Sequence, residues 1–514
     1  MNESKKKLAA KGILAGFLNK VVTMVLPFVL RTVMIYTIGS EYLGLNSVYS
    51  SILTILSFAE LGFGNVMVYS MYRPIAEGNK EKLCALLNLY KKLYRIIGTI
   101  ILLIGLAIAP FLRHFIHGSY PSDVNLYVLY GVYLFDAVIG YWLFAYKSSL
   151  LSAHQLYYID SNVGTVLASI KFSIQIILLL LFKNYYCYVV VLPIFAVLSN
   201  IATAIITKRR FPDITAKGEV DQETAREIRK NVLAGVGHRL GPTATTSVDN
   251  LVVSSYAGLI MASVYSNYNF IVTTVTGFIS LVFGSFVAGI GNSLVTETRE
   301  KNYEDFKFFT FMNSVLVGWS AICILCLSQP FMWLWVGERN GTEYMYPMAA
   351  VVLLAFMYYV QQIRAIVTAY KTAAGMWYAD RLKPYVATIA NAILDIVLFP
   401  TFGVVGIILS TIFARALIGI PWETNAMFKR YFKQPQIPYY KTLLKYLFIT
   451  VLIGTVSYFA CGLLPDGGLL WLAVKAVFCA VFTALLFVIF YCRNTYMRRI
   501  LSEIGKLAGK LRKG

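Results

Sequence analysis

The sequence predicts an all-α, polytopic membrane protein with about fourteen spanning helices. The first observation behind this prediction is composition, since 58% of the 514 residues are hydrophobic and only 14% are charged. A soluble domain carries roughly 25% charged residues, so this chain has too little polar surface to face water. The second observation is that apolar runs of about 20 residues, the length that crosses a bilayer, recur along nearly the whole chain. The third is that basic residues collect in the short segments between these runs.

The apolar runs give the position of each predicted span in chain order. Six spans are expected before a polar stretch that begins near residue 208, and eight after it. They lie near residues 12–37, 43–70, 86–112, 124–146, 158–182, 186–207, 231–256, 259–292, 308–330, 346–370, 384–400, 404–427, 441–463 and 470–491.

The basic residues predict the sidedness of the chain. When alternate loops are assigned to one side, about 36 of the 46 Lys and Arg residues fall on the side of the N-terminus. Only Arg113, Lys183 and Arg339 fall on the other side. We therefore expect both termini to be cytoplasmic, and we attribute the net charge of +21 to membrane topology rather than to nucleic-acid binding. The segment 492–514 is predicted to be a basic amphipathic helix on the inner leaflet.

A weak internal repeat predicts the domain organisation. Ser47-Val-Tyr-Ser50 recurs as Ser263-Val-Tyr-Ser266, and prolines occur at similar offsets in spans one and seven. Parallel repeats of this kind are found in transporters, whose substrate sites lie between the repeats. We expect two parallel six-helix lobes around a central cavity, at 1–207 and 231–427. A cytoplasmic loop at 208–230 would join them, and two extra spans would follow at 428–491.

Charged residues within the spans identify the candidate site. A charged side chain at a span centre costs at least about 2.5 kcal/mol, so it normally faces a cavity or a partner. The basic residues assigned to a cationic cavity are Lys20, Arg31, Arg239 and Arg364. The residues assigned to ion coupling or ion pairing are Glu60, His238, Asp249 and Asp395. Pairing within the membrane is the alternative for every basic residue. It is weakest for Arg31 and Arg364, which have no acidic residue within one helical turn.

Fixed positive charge in a wet cavity suits an anionic substrate. Guanidinium groups match the geometry of phosphate oxygens and bind them in bidentate fashion. A lipid diphosphate is a ligand that would need such groups.

Signals of catalysis and cofactor binding are weak. The sequence has no phosphate-binding loop of the Walker A type, no histidine spacing that predicts a metal site, and no recognisable catalytic arrangement in a loop. We therefore expect no catalytic residue, no metal and no cofactor. The C-x-x-C pair Cys323 and Cys326 lies within a span, and we interpret both residues as small packing side chains.

Three stretches carry a family resemblance. The first is Gly39-Ser-Glu-Tyr-Leu-Gly-Leu-Asn46, a glycine-containing turn that leads from span one into span two. The second is Leu56-Ser-Phe-Ala-Glu-Leu-Gly-Phe-Gly64, within span two. Spans eleven and twelve contain Asn391, Asp395, Pro400, Gly403, Gly406, Ser410 and Thr411 in a related pattern. Together these stretches resemble the polysaccharide transporter branch of the multidrug/oligosaccharidyl-lipid/polysaccharide exporter superfamily, in particular Wzx-type flippases.

The resemblance implies a two-lobed fold in the bacterial cytoplasmic membrane and alternating access. It implies translocation of an undecaprenyl-diphosphate-linked oligosaccharide for capsule, exopolysaccharide or O-antigen synthesis. The implied partners are this lipid, membrane lipids, a polysaccharide polymerase and glycosyltransferases. Family members have cationic cavities, and the sequence leaves proton coupling, sodium coupling or no coupling open. Asp395 departs from the asparagine that the family often has, so its role is open.

Three other functions are kept as alternatives. A multidrug cation antiporter of the same superfamily should have an acidic site, whereas bases outnumber acids within these spans. A lipid II flippase would apply the same chemistry to another headgroup. A membrane-embedded glycosyltransferase or polymerase would need catalytic acids in sizeable loops, which this chain lacks on the side opposite its termini.

Overall fold

The described part of the chain is α-helical throughout its regular elements. The structure, a computed structural model, describes residues 22–57, 63–376 and 380–511, and within these it describes the backbone alone at 63, 65, 227, 229–242, 281–288 and 504–511. The chain divides into two compact units, Met1–Ser263 and Val264–Gly514, and each is described by itself. The lobe boundaries expected from the repeat stay a prediction.

The first unit contains α1 to α8 and the beginning of α9. The helices are α1 (Val22–Thr37), α2 (Ser40–Leu56), α3 (Phe63–Ala76), α4 (Lys80–Ile108), α5 (Leu126–Trp142), α6 (Ser148–Ala153), α7 (Tyr157–Phe182) and α8 (Tyr185–Arg210). A 3₁₀ segment, Ala109–Phe115, extends α4. Helix α9 spans Gln222–Thr296, with non-helical backbone at Gly258 (φ 79°), and continues into the second unit.

Asparagine side chains set the starts of several of these helices. The Asn79 side chain accepts a hydrogen bond from the Lys82 amide at 2.8 Å, and Asn184 accepts one from the Tyr186 amide at 2.8 Å. Asn125 does the same at the start of α5. Such caps satisfy backbone N–H groups that have no partner within the helix, which fixes where each helix begins.

The second unit contains the end of α9 and ten further helices. They are α10 (Arg299–Met332), α11 (Glu338–Asn340), α12 (Met348–Ile363), α13 (Ala365–Ala373), α14 (Lys383–Phe402), α15 (Val404–Phe413), α16 (Ile420–Met427), α17 (Ile437–Gly462), α18 (Gly468–Phe490) and α19 (Thr495–Leu511). Three π-helical segments, Trp333–Gly337, Ala414–Gly419 and Phe428–Phe432, follow α10, α15 and α16.

The length and composition of these helices support the predicted fold class. Among the described residues, ten helices are long and apolar enough to cross a membrane, or eleven if the bent pair Leu126–Trp142 and Ala145–Ala153 is one span. The prediction of about fourteen is larger. The predicted spans 12–37 and 43–70 lie partly outside the described residues, and the predicted spans 231–256 and 259–292 lie on either side of the backbone break at Gly258 in α9. Large apolar side chains cover outer surfaces, for example Leu181 on α7, which is 71% exposed. Such surfaces suit lipid rather than water, and the protein is a multi-pass membrane protein.

Small residues bring α2 and α9 together within the first unit. Asn250 donates a hydrogen bond to Ser51 at 2.9 Å and accepts one from Ser47 at 3.4 Å. One turn earlier on α2, a Cβ atom placed on Gly44 would lie only 2.0 Å from the carbonyl oxygen of Leu259. Close backbone approach at small residues is a common basis of helix association in membranes.

Candidate functional site

A polar cavity of about 480 Å³ opens within the first unit. Side chains from α2, α5, α7, α8 and α9 line it. Its polar lining residues are Asn46, Ser50, Thr54, Ser57, Tyr133, Asp136, Lys171, Gln175, Tyr188 and Thr243. A cavity of this size within spanning helices can accommodate a polar ligand such as one or two sugar rings.

An acid–base pair contributes the charged groups of this cavity. Asp136 on α5 and Lys171 on α7 both line it, and the two side chains interact electrostatically. Opposite charges within a spanning region lower each other's cost of desolvation. Neither residue was assigned a role from the sequence, because their interaction crosses from one helix to another.

Tyrosine and amide side chains complete the lining. The Tyr133 hydroxyl donates a hydrogen bond to Asn46 Oδ1 at 2.5 Å and lies 2.9 Å from the Tyr185 hydroxyl. Gln175 donates to the Tyr188 carbonyl oxygen at 3.2 Å, while its own Oε1 atom has no hydrogen-bond partner among the described residues. A buried acceptor of this kind favours a hydroxyl donor from water or a ligand.

Arg31 brings a further positive charge to this side of the first unit. It lies in the middle of α1, is half-buried, and interacts electrostatically with Tyr188, which lines the cavity. Tyr188 also interacts with Asp136, so the three side chains belong to one electrostatic neighbourhood. Arg31 is the second described base of this neighbourhood, after Lys171.

The other predicted residues of the first unit differ in what the structure shows of them. Lys20 and Glu60 lie outside the described residues, and the side chains of His238 and Arg239 are likewise outside them. Asp249 is buried on α9, next to the Asn250 side chain that joins α9 to α2. The roles assigned to these five residues stay predictions.

The second unit contains a buried network of charges that the sequence did not predict. Glu423 on α16 is 1% exposed and forms an ion pair with Lys383, the first residue of α14. Arg364 Nε lies 3.6 Å and Lys371 Nζ 3.8 Å from the Glu423 carboxylate. Asp380 is also buried, pairs with Lys371, and lies 3.4 Å from Lys383 Nζ. Three bases therefore share two acids.

The local backbone explains why Arg364 enters this network. Helical hydrogen bonding is interrupted at Arg364, between α12 and α13. The fully buried Asn313 donates to the carbonyl oxygens of Gln362 (3.1 Å) and Ile363 (3.0 Å), which satisfies backbone groups at the break. A Cβ atom on Gly419 would lie 2.8 Å from Arg364 Nη1, so the absence of a side chain there leaves room for the guanidinium group.

The structure shows for Arg364 the ion pair that the sequence had left open as an alternative, and the assignment of Arg364 to substrate binding stays a prediction. Glu423 is 59 positions later in the chain and on another helix, so spacing along one helix could not reveal the contact. Lys371, Asp380 and Lys383 lie between the predicted spans ten and eleven and were not considered as site residues. A second guanidinium group, that of Arg415, donates to Gln361 Oε1 at 2.6 Å, one turn before Arg364.

Asp395 occupies the interface between α14 and α15. It is fully buried and accepts hydrogen bonds from Asn391, at 2.6 Å, and from Ser410. All three residues belong to the pattern that carried the family resemblance. These hydrogen bonds account for the burial of Asp395, and the assignment of an ion-coupling role stays a prediction.

Comparison with known proteins identifies the fold. No protein-family model and no curated protein matches the sequence. Among solved structures, the chain is similar to the lipid II flippase MurJ in its inward closed conformation, with a TM-score of 0.65 and 14% identity over 94% of this chain and 99% of that one. It is also similar to an inward-facing MATE-family multidrug transporter of the MOP superfamily, with a TM-score of 0.62 and 12% identity over 81% and 98% of the two chains. A third match is a point mutant of the Vibrio cholerae MATE transporter VcmN, with a TM-score of 0.56 and 12% identity over 84% and 100%.

At 12–14% identity, the similarity establishes the fold but not the substrate or the family within the superfamily. The chain shares its fold with MOP-superfamily transporters and flippases, which is the class of architecture that the resemblance in the sequence predicted. The Wzx-type branch within that superfamily is a narrower assignment, and it belongs with the proposal below.

Proposed function

We propose that this protein is a flippase that carries an undecaprenyl-diphosphate-linked oligosaccharide across the cytoplasmic membrane by alternating access. One observation carries the proposal more than any other. The match to a lipid II flippase extends over 94% of this chain, whereas the matches to multidrug transporters cover 81–84% of it while using 98–100% of those transporters. This chain therefore has a segment that the multidrug transporters lack, and we assign that segment to α17, α18 and α19.

The chemistry of the first unit supports a ligand that is both anionic and rich in hydroxyl groups. Its cavity is lined by amide, hydroxyl and phenol groups, which are the partners that sugar hydroxyls need. Among the described side chains of this neighbourhood, Arg31 and Lys171 are basic and Asp136 is acidic. An organic cation would need the opposite balance, which is why we place the multidrug antiporter behind the flippase.

The proposal assigns a role to each part of the substrate. The diphosphate contacts basic side chains of the spans, with Arg31 as the first candidate among the described residues, and the sugars occupy the polar cavity. The polyprenyl chain stays in the surrounding lipid, because it is as apolar as the lipid itself. Glycosyltransferases would supply the substrate on the cytoplasmic side, which is also where we place both termini, and a polymerase would use it after translocation.

The test is a comparison of two arginines of the first unit. We would purify the full chain and the variants Arg31→Gln, Arg31→Lys and Arg113→Gln. Arg113 is the matched control, because its guanidinium group lies over the Tyr120 ring at the end of the 3₁₀ segment, away from the cavity lining. Native mass spectrometry would then measure binding of undecaprenyl diphosphate, undecaprenyl monophosphate and the uncharged alcohol.

We expect the diphosphate to bind best, and Arg31→Gln to weaken its binding about tenfold or more, since a hydrogen bond to a charged group contributes roughly 1.5–3 kcal/mol. Arg31→Lys should lose less, and Arg113→Gln should resemble the wild type. If Arg31→Gln and Arg113→Gln bind the diphosphate equally well, the assignment of Arg31 to the binding site is wrong. Equal binding of all three lipids by the wild type would contradict the anionic substrate.

A lipid II flippase is the second candidate, since the solved structure that matches 94% of the chain is one. Expression in a bacterium depleted of its own lipid II flippase distinguishes the two. Restored growth would assign lipid II as the substrate. Continued lysis, combined with restored surface glycan in a strain lacking an oligosaccharide flippase, would assign the oligosaccharide.

A further inference from the structure

Three cysteines from three different helices meet in the interior of the second unit. Cys326 lies on α10, Cys461 near the end of α17 and Cys479 on α18. Their sulfur atoms all lie within 4.8 Å of one another, and no residue of the three is more than 5% exposed. Their meeting could not be predicted from sequence patterns, because the three positions are widely separated along the chain.

A fourth cysteine lies beside the other three. Cys323 is one turn before Cys326 on α10 and is half-buried, and its thiol interacts with that of Cys479. The C-x-x-C pair, interpreted from the sequence as packing residues, therefore contributes two thiols to one cluster. Of the seven cysteines in the chain, Cys84, Cys187 and Cys492 are not part of it.

We propose that this cluster binds a single thiophilic cation, Zn²⁺ or Cu⁺, through Cys326, Cys461 and Cys479, with Cys323 as the fourth ligand. Sulfur-only donor sets select such metals, whereas Mg²⁺ and Ca²⁺ require oxygen. Tetrahedral Zn–S bonds of about 2.3 Å place the sulfurs about 3.8 Å apart, so the thiols of Cys326, Cys461 and Cys479 would need to approach one another by at most about 1 Å. Each ligating thiol loses its proton to water as its sulfur–metal bond forms.

The surroundings fit the charge that such a site would carry. Four thiolates around Zn²⁺ leave two net negative charges. Lys475 is buried one turn before Cys479 on α18, interacts electrostatically with Cys461, and also pairs with Asp466. Cys326, Cys461 and Cys479 belong to a buried apolar core of the second unit, and such surroundings limit the access of water and of competing ligands.

A cavity of about 670 Å³ provides access for the cation. Cys326 and Cys461 line it, together with Lys475 and the polar side chains of Gln329, Glu338 and Asp466. Once bound, the cation would connect α10 to both α17 and α18. It would thereby fix the position of two of the helices that we assign to the segment absent from the multidrug transporters.

The experiment uses the full chain in detergent under reducing conditions. Cobalt is the probe, because Co²⁺ in a thiolate site gives sulfur-to-metal charge-transfer absorption in the near ultraviolet and intense visible bands. We would titrate Co²⁺ into the wild type, Cys326→Ser, Cys461→Ser and the double control Cys187→Ser/Cys492→Ser, and would then displace it with Zn²⁺. Elemental analysis would measure zinc and copper in the protein as isolated.

We expect one Co²⁺ per chain in the wild type and in the double control, and binding at least about tenfold weaker in each single cluster variant. Absence of thiolate–cobalt absorption in the wild type, or equal binding by control and cluster variants, would overturn the proposal. If the cluster variants fail to fold, alkylation of the wild-type cysteines by a maleimide tests the proposal instead. Zn²⁺ must then protect Cys326 and Cys461, but not Cys492, from a maleimide. A disulfide between cluster cysteines in the protein as isolated would also overturn the proposal, in favour of a redox pair.

Discussion

Replacement of Glu423 by Gln tests whether the charge network stabilises the second unit. The attraction across the 3.6 Å between Arg364 Nε and the Glu423 carboxylate is about 5 kcal/mol at an effective dielectric constant of about 20. Lys371, at 3.8 Å, gives a similar gross value, and Lys383 is closer still. Desolvation of the four groups offsets most of this sum. The variant, however, leaves three buried or half-buried bases against Asp380 alone.

We therefore expect Glu423→Gln to lower the free energy of unfolding by about 3–5 kcal/mol, the usual cost of removing one partner from a buried ion pair. The measurement is unfolding in mixed micelles with increasing mole fraction of SDS, followed by tryptophan fluorescence. Glu343→Gln is the control, because Glu343 is exposed in the 3₁₀ turn Thr342–Tyr344. A difference of less than about 0.5 kcal/mol between the two variants would refute the reasoning.

A double variant separates charge from packing. Glu423→Gln/Lys383→Met removes one acid and one base, so it restores the wild-type excess of one positive charge in the network. We expect it to be at least about 1 kcal/mol more stable than Glu423→Gln alone, since directly interacting residues are not additive. A double variant less stable than the single one would mean that shape, rather than charge balance, is what Glu423 provides.

Three further substitutions test packing and the helix break. Gly44→Ala should lower the free energy of unfolding by about 1–3 kcal/mol, because its Cβ would lie 2.0 Å from the Leu259 carbonyl oxygen. Gly131→Ala is the control, since Gly131 has open space around it. In the same SDS titration it should be neutral or slightly stabilising. Gly419→Ala should lower the free energy of unfolding by less than about 1 kcal/mol, since only the end of the Arg364 side chain must move. In a Gly419→Ala background, Glu423→Gln should then destabilise the protein less than it does in the wild type. Asn313→Ala should cost about 2–3 kcal/mol, because it leaves two buried carbonyl oxygens at the α12–α13 break without their donor, and an effect below about 0.5 kcal/mol would contradict that role.

Much of the fold could be predicted because single helices are determined locally. The predicted spans 158–182, 186–207 and 470–491 differ by at most three residues at either end from α7, α8 and α18. Apolar runs of spanning length leave few alternatives to a helix in lipid, and polar caps fix their ends. The prediction was less accurate where one apolar run continues through a change of backbone. The break at Arg364 lies inside the predicted span 346–370, so hydropathy did not detect it, whereas the break at Gly258 falls between the predicted spans 231–256 and 259–292.

The site could be predicted only as a set of charged residues, not as contacts. Spacing along one helix identifies residues that are expected to share a face, such as Lys20 and Arg31, which are eleven positions apart. It cannot identify partners on other helices, and several interactions that organise the described site cross between helices. The electrostatic interaction of Asp136 with Lys171, the ion pair of Glu423 with Arg364 and the hydrogen bond from Ser410 to Asp395 are three examples.

Because partners on other helices cannot be identified from the sequence, a charged residue within a span cannot be taken as unpaired. A list of intramembrane bases suggested one cationic cavity, whereas the structure shows that Arg364 and Lys171 each have an acid on a neighbouring helix. What favours an anionic ligand is thus the balance of charge within a neighbourhood, and in the network of the second unit three bases share two acids. A phosphate group that enters such a neighbourhood replaces repulsion between bases with attraction, without first separating an ion pair. Paired charge therefore does not argue against anion binding here, because the pairing reduces the cost of holding the remaining positive charge within the membrane until the substrate binds.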